Sequence, residues 1–107
     1  MARTILVVDD EESLRKTIKG ALSDEGYTVF VAEDQASALE LLPKVFPDVV
    51  LLDVWMASAN GEKQQEGIDT LSRIKTLYPE VVVIIMSGHG TIEKAVKATK
   101  LGAYDFI

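Results

Sequence analysis

An unbroken run of four aliphatic residues, Val49 to Leu52, ends at Asp53 and constrains the fold more than any other stretch of the chain. Because its apolar residues do not alternate with polar ones, the run predicts a strand buried on both faces, as in the centre of a parallel sheet. Open α/β sheets bind ligands in a crevice outside the carboxyl ends of their strands. Asp53 is therefore a candidate for chemistry, although an aspartate that simply begins a turn is an equally common alternative.

Similar apolar runs recur along the chain and alternate with helical patterns. Five strands are predicted, at residues 4–8, 27–32, 48–53, 81–86 and 103–107. Four helices are predicted from apolar residues at helical spacing: Leu14, Ile18 and Leu22; Ala36, Leu39 and Leu42, with Asp34 as N-cap; Ile68, Leu71 and Ile74; and Ile92, Ala95, Val96 and Thr99. This alternation predicts a doubly wound α/β fold around a parallel sheet. If the first and third strands are neighbours, the strand order is 2-1-3-4-5.

Composition narrows the class of protein. A chain of 107 residues predicts one domain, 1–107. Its 17 acidic and 11 basic residues give a net charge of −6, which argues against direct nucleic-acid binding, because such a surface needs basic residues to neutralise phosphates. The absence of cysteine excludes disulfides and thiolate metal sites. No apolar run approaches the roughly 20 residues of a membrane span, so we expect no membrane association and a cytoplasmic location.

Polar side chains follow three of the predicted strands. Asp9 and Asp10 follow the first strand, Asp53 ends the third, and Ser87 follows the fourth. Clustered carboxylates without histidine or cysteine suit Mg²⁺, and such an ion beside Asp53 would let that carboxylate attack a phosphoryl group. Taken singly, Asp10 could instead favour a helix N-terminus and Ser87 could be a turn residue. Their coincidence at one crevice favours the site.

Four motifs of the chain resemble the receiver domain of two-component response regulators. They are LVVDDE at 6–11, DVWM at 53–56, MSGHG at 86–90 and GAYDF at 102–106. The resemblance covers essentially the whole chain and is strongest to receivers of the nitrogen-regulatory type, which precede sigma-54-dependent ATPase modules. It implies a flavodoxin-like five-stranded sheet of order 2-1-3-4-5.

The resemblance also implies a phosphoacceptor and a metal site. Asp53 would accept a phosphoryl group from the histidine of a sensor kinase. Asp9, Asp10 and Asp53, with the backbone carbonyl of Trp55, would bind Mg²⁺.

Two further residues would convert phosphorylation into a signal. The hydroxyl of Ser87 would bind the phosphoryl group, and Phe106 would follow it inward as the aromatic switch residue. The resemblance implies a C-terminal output domain that regulates transcription, with sigma-54-dependent ATPase and DNA-binding domains as the expected kind, and a possible homodimer.

Other functions remain as alternatives. One alternative is a receiver-like module that binds partners without phosphorylation. The lysine that the family places just beyond Ile107 is not in this chain, which favours this alternative, whereas the intact Asp9, Asp10, Asp53 and Ser87 argue against it. A Mg²⁺-dependent phosphohydrolase would place a second aspartate two residues after its nucleophile, where this chain has Trp55. Dinucleotide binding would need a glycine-rich loop after the first strand. We therefore expect a switch rather than an enzyme, with self-phosphorylation and dephosphorylation at most.

The chain departs from the family pattern in two places. The family has a lysine just beyond the position of Ile107, and then a fifth helix, which would cover the sheet face beside the first helix. Without that helix we expect a truncated domain with exposed apolar surface on this face. The segment 57–66 is longer and more polar than the family connection, and it predicts a flexible surface loop.

Overall fold

The structure, a computed structural model, describes residues 3–53, 63–86, 102 and 105–106. In this part of the chain, strands and helices alternate as predicted. The elements in chain order are β1 (Thr4–Val8), α1 (Glu12–Asp24), β2 (Thr28–Ala32), α2 (Gln35–Val45), β3 (Val49–Asp53), α3 (Lys63–Leu77), β4 (Val82–Met86) and β5 (Asp105–Phe106). The helix predicted around Ile92–Thr99 lies outside the described residues.

The strands form one parallel sheet in the order β2-β1-β3-β4-β5, which confirms the predicted doubly wound topology. Val8, the last residue of β1, pairs with Ala32 on one side and with Leu52 on the other. The carboxyl ends of β1 and β3 are therefore level. The residues that directly follow Val8 and Leu52 emerge side by side at one edge of the sheet.

The two faces of the sheet are covered unequally. In β3 and β4, Val50, Leu52, Val83 and Ile85 are fully buried, whereas the residues that alternate with them are half-buried. The buried face packs against residues of α2 and α3, and the other face packs against Ile18 and Leu22 of α1 together with strand residues. Burial on both faces was therefore predicted correctly for β1 and wrongly for β3 and β4. Incomplete cover is the expected result where α1 is the only described helix on a face.

The end of α1 is fixed by Gly26. Gly26 has φ of 94°, in the left-handed region that side chains disfavour. Its N–H donates to the Ser23 carbonyl at 3.0 Å, and the Tyr27 N–H donates to the Leu22 carbonyl at 3.2 Å. These two bonds form a Schellman motif, which satisfies carbonyls that the helix end would leave without partners.

We expect the substitution of alanine for glycine to have opposite effects at two positions of this helix. Gly26→Ala should lower the free energy of unfolding by about 1–2 kcal/mol, because alanine is strained at this positive φ. Gly20→Ala should raise it by about 0.5–1 kcal/mol, because Gly20 lies inside α1 and an added Cβ would meet nothing within 4 Å. Urea denaturation of both variants measures the difference, and changes of the same sign would contradict the assignment of the helix end.

Asp34 caps α2, as predicted. Its Oδ1 accepts hydrogen bonds from the Ser37 N–H at 2.8 Å and from the Ser37 hydroxyl at 2.7 Å. The Asp34 N–H donates in return to the Ser37 hydroxyl oxygen, which completes a capping box. The bonds from Ser37 hold the pKa of the Asp34 carboxyl below its ordinary value, because they stabilise the carboxylate.

Helix α3 begins earlier than the sequence predicts. The segment 57–66 was expected to be a surface loop, but Lys63–Glu66 form the first turn of α3. Lysine, glutamine and glutamate are strong helix formers, so the polar composition that suggests a loop is equally suited to the first turn of a helix. The helix ends at Leu77, two residues ahead of Pro79. Among the described helices, none is long and apolar enough to cross a membrane.

Candidate metal centre

Three carboxylates converge at the carboxyl ends of β1 and β3. Asp9 and Asp10 directly follow β1, and Asp53 is the last residue of β3. One carboxylate oxygen from each residue lies within 4.8 Å of the others. The level ends of the two paired strands produce this arrangement, because residues that leave neighbouring parallel strands at the same height must lie close together.

Asp9 is the most firmly held of the three. It is only 1% exposed. Its N–H donates to the Ala32 carbonyl of β2 at 3.1 Å, and its own carbonyl accepts from the Arg15 guanidinium at 2.7 Å. Its Oδ1 accepts from the Glu11 N–H at 2.8 Å, while its buried Oδ2 has no hydrogen-bond partner among the described residues. The residue is thus fixed everywhere except at one carboxylate oxygen.

The electrostatics of the site disfavour three bare carboxylates. The pKa of Asp9 is raised to about 6, chiefly because burial disfavours the charged form and in addition because the neighbouring charges of Asp53, Asp10 and Glu11 repel it. The hydrogen bond from the Glu11 N–H lowers the pKa and offsets these causes only in part. A bound cation would remove both causes, since it would replace lost solvation and neutralise the like charges.

The donor set fits a hard divalent cation. All three side chains offer carboxylate oxygens, which Mg²⁺ and Ca²⁺ prefer over nitrogen or sulfur ligands. The strongest sign of a bound ion is the buried Oδ2 of Asp9, which has no hydrogen-bond partner in the part of the chain that the structure describes, because buried polar atoms without a partner are rare in folded proteins. Asp10 is exposed and Asp53 is half-buried, so the remaining coordination positions could be filled by water.

Of the other predicted site residues, the structure describes only the backbone of Phe106. Trp55 and Ser87 lie outside the described residues. Phe106 lies in β5, where its backbone pairs with Ile85. The structure therefore brings together Asp9, Asp10 and Asp53, and it places Phe106 only on the strand next to β4.

Arg15, which holds the Asp9 carbonyl, carries no signal in the sequence. A single arginine within an amphipathic helix is normally part of a solvated face. Its proximity to Asp9 depends on how α1 folds back against the end of β1, and no local pattern encodes that.

Comparison with known proteins identifies the family. The family model for the response regulator receiver domain matches residues 5–107. This chain belongs to the response regulator receiver family. The match confirms the resemblance drawn from the four sequence motifs. Receiver domains are phosphoacceptor signalling switches rather than classical enzymes, and they bind Mg²⁺ at an acidic pocket, which the cluster of Asp9, Asp10 and Asp53 matches in composition.

Similar proteins include nitrogen regulators. The chain is 46% identical over 103 residues to a putative NtrX-like response regulator of Rickettsia felis and 43% identical over 107 residues to the nitrogen assimilation regulatory protein NtrX of Azorhizobium caulinodans. These matches include 96% and 100% of this chain, but only 21% and 23% of the length of the two relatives. The crystal structure of the receiver domain of NtrX from Brucella abortus has 45% identity and a TM-score of 0.85, with 96% of this chain and 82% of that one covered. The chain thus spans about a fifth of the length of its curated relatives and most of one isolated receiver domain.

Proposed function

We propose that this chain, as a single receiver domain over residues 1–107, accepts a phosphoryl group on Asp53 from a sensor histidine kinase in a reaction that needs Mg²⁺. The convergence of three carboxylates at the ends of β1 and β3, with one buried oxygen left without a described partner, carries this proposal. Asp9, Asp10 and Asp53 would hold the ion, together with the backbone carbonyl of Trp55. When bound, Mg²⁺ would neutralise charge that accumulates as the phosphoryl group approaches the carboxylates.

The difference in burial between Asp9 and Asp53 supports Asp53 rather than Asp9 as the nucleophile. Asp9 is inaccessible and its pKa is raised, so it is poorly suited to meet a phosphoryl group carried by another protein. Asp53 is half-buried at the mouth of the site and ends a central strand that fixes its position. A carboxylate oxygen of Asp53 would attack phosphorus as the phosphorus–nitrogen bond to the kinase histidine breaks. With a proton on the other ring nitrogen of that histidine, the bonding pair leaves with the ring, which gives an acyl phosphate on this chain and a neutral imidazole on the kinase.

Phosphorylation would be read out at the neighbouring strands. Asp53 pairs with Met86 at the end of β4, directly before Ser87, and β4 pairs with β5 at Phe106. Ser87 would bind the phosphoryl group and Phe106 would change its position with it, so that the surface near β5 changes between two populated states. Membership of the receiver family supports a cytoplasmic location. The greater length of the relatives supports a C-terminal output domain, which this switch would control to regulate transcription. A homodimer is a possible active form.

Phosphorylation by acetyl phosphate tests the proposal directly. With Mg²⁺, intact-mass spectrometry should show one added phosphoryl group on the wild-type chain, and none on Asp53→Asn or after removal of the metal with EDTA. Asp24→Asn is the matched control, because Asp24 is exposed at the far end of α1 and loses the same charge. Equal labelling of Asp53→Asn would refute the assignment of the acceptor. Mg²⁺ binding without any labelling would favour the alternative of an interaction module that works without phosphorylation.

A further inference from the structure

The short connection between β1 and α1 is held by a contact from within the helix. Arg15 lies in the first turns of α1, and its side chain reaches back six positions, where Nη1 donates to the carbonyl of Asp9 at 2.7 Å. This hydrogen bond is short, as expected for a charged donor. Arg15 is half-buried and lines a groove with Lys19 of α1 and Val31 of β2, among others.

This contact completes a set of constraints on Asp9. The N–H of Asp9 is held by the Ala32 carbonyl of β2, its carbonyl by Arg15 of α1, and its Oδ1 by the Glu11 N–H. The orientation of the two peptide groups that flank a residue sets the direction of its Cα–Cβ bond. The hydrogen bond from Arg15 therefore helps to determine where the unpartnered Oδ2 points.

We propose that Arg15 is a positioning residue for divalent-cation binding, which acts through the backbone of Asp9 rather than by contact with the ion. The inference rests on the proposed metal site and adds to it a residue outside the acidic cluster. In this role, a positively charged side chain would strengthen the binding of a positively charged ion.

Whether the removal of Arg15 weakens or tightens Mg²⁺ binding distinguishes a positioning role from a purely electrostatic one. If Arg15 acted only through its charge, its removal would reduce repulsion and tighten Mg²⁺ binding. If it acts by holding Asp9, its removal loosens a ligand and weakens binding, in the way that loss of outer contacts to metal ligands commonly lowers affinity by about 10- to 100-fold.

Mg²⁺ titrations of the wild-type chain, Arg15→Met and Lys19→Met, by calorimetry at constant ionic strength, test this inference. Lys19→Met is the matched control, since Lys19 is exposed on the same helix, lines the same groove and loses the same charge. We expect the Kd for Mg²⁺ to rise about tenfold in Arg15→Met and to stay the same or fall slightly in Lys19→Met. Circular dichroism confirms that each variant is folded under the conditions of the titration.

A second variant keeps the test decisive if Arg15→Met does not fold. Arg15→Lys preserves the charge, but the lysine ammonium lies one bond closer to the backbone than Nη1 of arginine, so its Kd should rise above the wild-type value by less than the roughly tenfold increase expected for Arg15→Met. A Kd equal to or lower than the wild-type value in the folded variant would overturn the positioning role. If the wild-type chain itself does not bind Mg²⁺, the proposed metal site fails as well, and the two failures are thereby told apart.

Discussion

Asp9→Asn is expected to raise the free energy of unfolding of the metal-free protein by about 2–3 kcal/mol at neutral pH, and at the same time to weaken Mg²⁺ binding. Asp9 is buried, and its pKa of about 6 means that folding opposes its ionisation. Asparagine has nearly the same shape and carries no charge, so the penalty disappears. The same change removes one of the three proposed metal ligands, and stabilisation by added Mg²⁺ should be lost in the variant.

The pH dependence of this effect follows from the direction of the shift. Because the pKa of Asp9 is raised from 3.8 to about 6, the folded protein holds a proton that the unfolded chain has released between these values. The contribution of Asp9 to stability is therefore lost as the pH rises through this window. The advantage of Asp9→Asn over wild type should be near zero at about pH 4 and reach its full size above about pH 6–7.

Urea denaturation in EDTA at several pH values measures this advantage, and Asp34→Asn provides a control of opposite sign. The pKa of Asp34 is lowered by its bonds from Ser37, so wild type should gain stability over Asp34→Asn as the pH rises. An advantage of Asp9→Asn that does not change with pH would contradict the assignment of a strained, buried carboxylate.

Leu52→Ala is expected to lower the free energy of unfolding by about 3–4 kcal/mol, and Leu51→Ala by only about 1–2 kcal/mol. The two leucines are adjacent in β3 and lose the same atoms. Leu52 is fully buried in the core formed with α2 and α3, where its removal leaves a cavity, whereas Leu51 is half-buried on the face that α1 covers. Chemical denaturation of the two variants gives the comparison, and equal losses would mean that both faces are equally well covered in solution.

The fold could be predicted from the sequence because its main signals are local. Continuous aliphatic runs such as Val49–Leu52 mark strands, and the end of α1 is marked by Gly26, whose backbone conformation other residues disfavour. The start of α3 could not be predicted in the same way. Polar residues of high helix propensity, such as those of Lys63–Glu66, are common both in loops and in the first turns of helices, so composition does not distinguish the two.

The acidic site could be predicted in part for a different reason. Carboxylates at the ends of parallel strands point to a shared crevice once the strand order is known, so Asp9, Asp10 and Asp53 follow from topology. Their unequal roles do not, because the burial of Asp9 and the exposure of Asp10 depend on how the connection to α1 turns. The hydrogen bond from Arg15 to the Asp9 carbonyl depends on the same turn and is visible only in three dimensions.

During folding, the acidic site can form only after β1 has paired with β3. These strands pair at a constant offset of 44 positions along the chain, with α1, β2 and α2 between them. Closing so long a loop is an entropic cost that comes before its contacts are gained, and such non-local pairing makes folding slower. No fragment that lacks either strand can assemble the three carboxylates.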